Sequence, residues 1–394
     1  MTSKVSRHIP YGKHKITNED VDAVVNVLLN ENLTQGTKVP EFEEKISQKI
    51  CSDFSLVFNS ATSALHVALK SLDIKKGDIV WTTPNTFVAT ANSAIYCNAK
   101  IDFVDIDYST GLMNIDFLKE KLEKISKKDN LPKVVIPVHL SGTSCNMEKI
   151  SILSKKYGFK IIEDASHAIG GKYQSQPVGN CKYSDITIFS LHPVKIITTG
   201  EGGIATTNKI DLYKKMKILR SHGITKDKDE FLYEASGDWY YEQQFLGFNY
   251  RLTDIQASLG ISQLKRLDSI VQKRNEIFIR YKNDCERLPI EFLKVPDQTI
   301  SSHHLAVMKL ANFDPDLHKR IFIYLRNRNI GVQLHYLPVH LQPFYRQLGF
   351  NEGDFPNSEK YALSAISLPI YPELINEDQK YVIDCLKYFF NYET

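Results

Sequence analysis

Short, largely apolar runs recur through the N-terminal half of the chain, at Ser55–Phe58, Asp78–Thr82, Ile101–Val104, Val134–Val138, Lys160–Ile162 and Ile186–Phe189, with helical segments or long connections between them. Strands without a polar face are covered on both sides, and parallel neighbours need a crossover to join them. The pattern therefore specifies a largely parallel sheet with helices on both faces. Gly203–Thr207 reads as one more strand, which the pattern leaves free to run either way. Ahead of the first strand, apolar positions at Ile16, Val21, Val24, Val25, Val27 and Leu28 behind an acidic start predict a helix over Ile16–Glu31. A second helix is expected around Pro40–Ile50, and Asn59–Thr62 opens a third that runs through Leu72.

From about Ile270 the character changes. A long helix is predicted over Asp268–Leu288, followed by a Tyr-, His- and Pro-rich region that ends in a helix at Gln379–Phe390. This divides the chain into a large α/β domain over 1–268, with an N-terminal helical segment, and a smaller C-terminal α+β domain over 269–394.

Charge and cysteine content narrow the function classes. With 49 basic against 46 acidic residues the net charge is +3, too balanced for a nucleic-acid or membrane partner. The six cysteines are scattered without a C-x-x-C pair, so neither a metal site nor a disulfide framework is indicated, and a reducing cytoplasm suits them. Met1–Pro10 is polar and basic, and no stretch approaches the roughly 18 apolar residues of a membrane span.

One lysine stands apart from a solvated surface charge. Lys195 lies between the apolar run Ile186–Phe189 and the glycine-rich turn Thr199–Gly203, where an amine can sit in a cleft and carry a carbonyl cofactor. Asp164 follows the strand read at Lys160–Ile162, and a carboxylate at the carboxyl end of a parallel strand points into the crevice where such sheets bind ligands. It could keep a pyridine nitrogen protonated, or it could be a helix cap. Glu201 offers Lys195 a structural ion pair instead. Asn59–Ser63 supplies hydroxyls and N–H groups at a helix start, suited to a phosphate or to plain capping, and Ser190 adds a hydroxyl. Neither a Walker nor a dinucleotide glycine motif occurs. Phe87 could stack on a planar ligand or belong to the core, and His167 could orient such a ring or be an ordinary buried polar residue.

Taken in order, Leu33–Gly36, Asn59–Leu65, Thr83–Phe87, Phe103–Asp107, Glu163–His167, the Lys195 run, Ser221–Gly223 and Gly247–Asp254 resemble the DegT/StrS-type sugar aminotransferases over nearly the whole chain. The resemblance implies the type I, aspartate-aminotransferase-like fold with pyridoxal 5′-phosphate. It implies a homodimer with shared active sites, and amino transfer from L-glutamate, released as 2-oxoglutarate, to a nucleotide-linked keto sugar. Carried over by position, Lys195 is the cofactor lysine, Asp164 the partner of the pyridine nitrogen, His167 a further catalytic residue and Phe87 the stacking residue. Ala61, Thr62 and Ser190 become phosphate contacts, with Asn249 reaching the neighbouring subunit's cofactor. Phe189–Gly200 and His335–Tyr345 are most similar to the pseudaminic-acid branch, which aminates C4 of a UDP-linked 4-keto-6-deoxy-N-acetylhexosamine. On that likeness Tyr11, Lys13, Thr34, Gln35, Gly36, His335 and Tyr336 line the sugar-nucleotide side. His167 replaces a glutamine common in the wider family, while Ala61 and Asn98 stand where glycine is usual. Other readings are a transaminase for a different 4-keto sugar, a dehydratase, for which the resemblance leads us to expect histidine at position 195, and a non-enzymatic sensor of sugar nucleotide or cofactor.

Overall fold

A computed structural model describes residues 8–126 and 130–392 of the chain, so the first seven residues of the large domain and the last two of the small one lie outside the described residues. Seven strands form the main sheet, in the spatial order Phe54–Phe58, Gly203–Thr207, Ile186–Ser190, Lys160–Asp164, Val134–Val135, Ile79–Thr82 and Lys100–Phe103. The five strands from Ile186–Ser190 to Lys100–Phe103 pair in parallel. Gly203–Thr207 runs antiparallel to both neighbours, which settles the direction its sequence left open. Burial on both faces explains the unbroken apolar runs, since every residue of Ile186–Ser190 and Gly203–Thr207 is buried.

Local chemistry sets where elements begin and end. The strand expected through Val138 stops at Val135, and Pro137 explains this because it has no N–H to give a neighbour. Its carbonyl still accepts the Asp164 N–H at 2.9 Å, and Val138 bridges Asp164 beyond it, so the two strand ends stay together. Asn98, at a usual glycine position, takes φ of 57°, a left-handed conformation that asparagine tolerates better than most residues. The long second-domain helix spans Leu267–Asp284, shorter than predicted, because Pro289 disfavours helical geometry in the residue before it.

That helix joins the two lobes. Leu267, Ile270 and Val271 pack into a core with Phe42 and Ile46, and Ile277, Phe278 and Tyr281 pack into the core of the small lobe. The small lobe is built on an antiparallel sheet, with Ala306–Leu310 between Ile290–Phe292 and Ala365–Leu368, covered by the helices Pro315–Asn327 and Asn376–Tyr392. Ile9, from the chain's N-terminal segment, also enters this core, its N–H bonded to Asn329 at 2.9 Å and its carbonyl to the Gly331 N–H. A third core binds the lobes together, with Trp81, Leu140 and Ile161 from one side and Leu305, Val307 and Tyr361 from the other. Among the described residues no disulfide is formed, and no helix is long and apolar enough to cross a membrane.

Gly203 brings the sheet against the helix Ala61–Ser71. A Cβ there would lie 2.4 Å from the Ser60 carbonyl oxygen and 2.5 Å from the Ala61 nitrogen, both backbone atoms that cannot rotate away. Gly203→Ala is expected to destabilise the fold by about 1–3 kcal/mol in urea unfolding. Gly12→Ala, whose nearest contact would be 3.9 Å away, should change stability by less than about 0.5 kcal/mol.

Candidate active site

A cavity of about 590 Å³ opens where the carboxyl ends of the parallel strands meet the small lobe, and Lys195 and Asp164 both line it. Asp164 closes the strand Lys160–Asp164. Its Oδ2 accepts a hydrogen bond from Thr90 Oγ1 at 2.6 Å and its Oδ1 one from the Ser166 N–H at 3.1 Å. Thr90 is itself held by Thr86 at 2.8 Å. On the backbone, the Asp164 carbonyl accepts the His139 N–H at 2.9 Å, and His139 pairs with the buried Glu163 carboxylate at 2.6 Å. The carboxylate of Asp164 thus has a fixed orientation.

Lys195 sits in the turn between the strands Ile186–Ser190 and Gly203–Thr207, its N–H bonded to the His192 carbonyl at 2.9 Å. Desolvation lowers its amine from 10.5 to about 8, opposed by the negative charge of Asp164. The side chain keeps part of its surface open to the cavity, but the protein packed around the amine is dense enough to govern its ionisation. Such an amine gives up its proton near pH 8, far more readily than a free lysine, as suits a nucleophile or a proton carrier.

At another wall of the cavity the helix Ala61–Ser71 begins. Ser60 caps it, accepting the Ser63 N–H at 3.1 Å. Ala61 and Thr62 occupy the first helical positions, where N–H groups have no intrahelical acceptor and the helix dipole favours an anion. Thr62 and Ser190 add hydroxyls to the same cavity. Phe87 caps the helix Val88–Tyr96, is 58% exposed, and lies 6.1 Å from the ring of Tyr336. Tyr336 donates its N–H to Asn85 at 3.1 Å, and Tyr11 packs against His335 with ring centroids 5.4 Å apart.

His167 bridges the lobes. Its Nδ1 accepts the Ser141 N–H at 3.3 Å, its Nε2 is 3.0 Å from the Tyr336 hydroxyl, and its ring lies 4.4 Å from that of His304. Desolvation, helped by the charge on Lys195, holds His167, His304 and His335 well below the usual imidazole range.

Several expected residues lie elsewhere. Lys13 is exposed and borders a small separate pocket behind Lys195. Thr34 and Gln35 are exposed, and the Gly36 N–H donates to Asp254 at 2.9 Å. Gln35 lines a second cavity of about 580 Å³ with Lys226, Lys228, Arg251 and Trp239. Asn249 is exposed, its carbonyl accepting from Asn59 at 3.4 Å. Sequence reasoning missed Thr90, Asn85 and His304. Thr90 follows Phe87 by one helical turn, a spacing that could have flagged it, whereas nothing in the local sequence ties His304 to His167.

The comparisons with known proteins agree with this architecture. A profile of the DegT/DnrJ/EryC1/StrS aminotransferase family matches residues 14–387. The UDP-4-amino-4,6-dideoxy-N-acetyl-β-L-altrosamine transaminase of Campylobacter jejuni is 38% identical over 382 residues, 96% of each chain. The structure of Helicobacter pylori PseC, an aminotransferase involved in the biosynthesis of pseudaminic acid, matches with a TM-score of 0.89 at 32% identity, covering 98% of this chain and 100% of that one. Spr1654 of Streptococcus pneumoniae, a putative sugar aminotransferase solved in its PMP-form, matches with a TM-score of 0.89 at 30% identity, over 97% of this chain and 99% of that one.

The desolvated amine has a consequence for stability. Below about pH 8 the folded and unfolded chains both carry the lysine proton, and the penalty for burying it is felt in full. Between about 8 and 10.5 the unfolded chain holds a proton that the folded chain has released, so stability rises with pH. Cofactor-free Lys195→Met is expected to exceed the parent by about 1–3 kcal/mol at neutral pH, with the gap narrowing as pH rises through that window. Thermal melting of both proteins across pH checks this, and equal neutral-pH stability would mean the amine is not desolvated.

Proposed function

The chain belongs to the DegT/DnrJ/EryC1/StrS aminotransferase family, and from that premise we propose that it transfers an amino group from L-glutamate to C4 of a UDP-linked 4-keto-6-deoxy-N-acetylhexosamine, a step of pseudaminic-acid biosynthesis. Pyridoxal 5′-phosphate is the cofactor of this reading, and the residues present fit it. The amine of Lys195 and the carboxylate of Asp164 share one cavity with a helix start whose first N–H groups have no intrahelical acceptor. Gly203 leaves the room that lets this start approach the sheet. The observation that carries the reading is the joint placement of the depressed lysine and the oriented carboxylate in that cavity.

When bound, the cofactor supplies a carbonyl and an electron-withdrawing ring. Asp164, held by Thr90 and Ser166, would keep the proton on the ring nitrogen. Ala61, Thr62 and Ser190 would hold the phosphate, and Phe87 would cover the ring. Lys195 would hold the cofactor by its carbonyl, and its free amine would carry the proton to and from the reacting substrate carbon. Its lowered basicity suits both roles.

Two copies of the chain form the working unit in this reading. Asn249 lies outside the Lys195 cavity and on accessible surface, which supports a role toward a neighbouring subunit's cofactor. Trp239 and Leu246, 79% and 83% exposed on the same 222–250 segment, supply apolar surface for a second copy to cover. Tyr11, His335 and Tyr336 line the Lys195 cavity and serve the sugar side from within the chain.

Purified protein given glutamate and the epimeric UDP-linked 4-keto-6-deoxy-N-acetylhexosamines, with products read by mass and NMR, tests the assignment. Amination of the L-arabino epimer is expected, and Lys195→Ala should abolish it. Amination of a different keto sugar would move the pathway, while cofactor binding without any amination would favour a sensor.

A further inference from the structure

Hydrogen-bond direction assigns the proton of one hydroxyl in the cavity. A backbone N–H can only donate, so Ser141, 3.3 Å from His167 Nδ1, requires a lone pair on that nitrogen. The ring is buried, with Lys195, His304 and His335 as its charged or chargeable neighbours, and stays neutral. A neutral imidazole with a lone pair on Nδ1 carries its hydrogen on Nε2. Nε2 lies 3.0 Å from the Tyr336 hydroxyl oxygen and must donate to it. The phenol is thereby an acceptor from His167, and its own hydrogen is left over. Among the described residues Tyr336 Oη has no hydrogen-bond partner other than His167.

Tyr336 is held for such a task. Its N–H is anchored on Asn85 at 3.1 Å, its ring lies 6.1 Å from those of Phe87 and His167, and the residue lines the Lys195 cavity. Burial raises its hydroxyl further above the ordinary tyrosine range, so it remains a neutral donor. A neutral donor in a low-dielectric cavity suits an oxygen that is neutral in the ground state and gains negative charge during reaction, as a ketone does. A carboxylate would be served better by a cation.

We propose that Tyr336 donates its hydroxyl hydrogen to the C4 carbonyl oxygen of the keto sugar, and that His167 acts through Tyr336, as the positioning residue that aims this donor. The proposal rests on the sugar-amination reading above.

Single-turnover kinetics of the two half-reactions, followed by cofactor absorption, test it. Tyr336→Phe should slow the keto-sugar half about a hundredfold, in line with loss of one donor to a developing oxyanion, and slow the glutamate half far less. His167→Leu should reproduce that pattern and add little in the Tyr336→Phe background. His167→Gln, whose amide can donate at the Nε2 position, should recover most of the loss. Melting curves confirm that the variants fold, and ¹⁵N NMR of the imidazoles reads the tautomer without reliance on turnover. A proton on His167 Nε2, retained in Tyr336→Phe, is expected. A proton on Nδ1, or equal slowing of both half-reactions, would overturn the proposal. Failure of the unaltered protein in both half-reactions would overturn the amination reading and the sugar acceptor with it, while the NMR result separately decides the direction of the hydrogen bond.

Discussion

A partly desolvated lysine amine that shares its cavity with the oriented carboxylate of Asp164 is the constraint around which the site is arranged. Desolvation pulls the proton off Lys195 and Asp164 pushes it back on, and the balance leaves the amine at about 8. Every other basic group near the amine must respect that balance. His167, His304 and His335 surround the site yet stay neutral, because a further positive charge would meet both the dry surroundings and the lysine. Hydrogen-bond donors without net charge, namely the helix start at Ala61 and the hydroxyls of Thr62, Ser190 and Tyr336, therefore do much of the polar work in the cavity.

The fold makes this arrangement rigid. Asp164 and Ser190 end adjacent parallel strands, and Gly203 brings the third strand of the group against the start of the Ala61 helix. Side chains far apart in sequence reach one crevice because the sheet's carboxyl edge collects them. The small lobe supplies the opposite wall, fixed by the helix Leu267–Asp284 and by a core shared between the lobes. Arg274 on that helix donates to the carbonyls of His303, His304 and Ile370, which holds the backbone beside His167 in place.

Much of this was legible in the sequence, for local reasons. Apolar runs buried on both faces announced the parallel strands, and Asn59–Thr62 announced the helix start. Lys195 and Asp164 could be singled out because each adjoins a strand end. What the sequence did not carry is the convergence of distant segments. Thr90 bonds Asp164 across 74 positions and Tyr336 bonds His167 across 169, and no periodicity records either distance. The resemblance named Tyr336 and His167 separately, whereas their hydrogen bond emerges only from the packed lobes. Ile9 shows the same limit at the level of the fold, since it forms an isolated β-bridge with Ile330, far along the chain.

The most direct test of the account is where the cofactor attaches. Purified protein incubated with pyridoxal 5′-phosphate, reduced with borohydride and digested should yield, by peptide mass mapping, a single modified residue at Lys195. Modification scattered over surface lysines, with Lys195 unlabelled, would contradict the claim that the cavity is built around that amine.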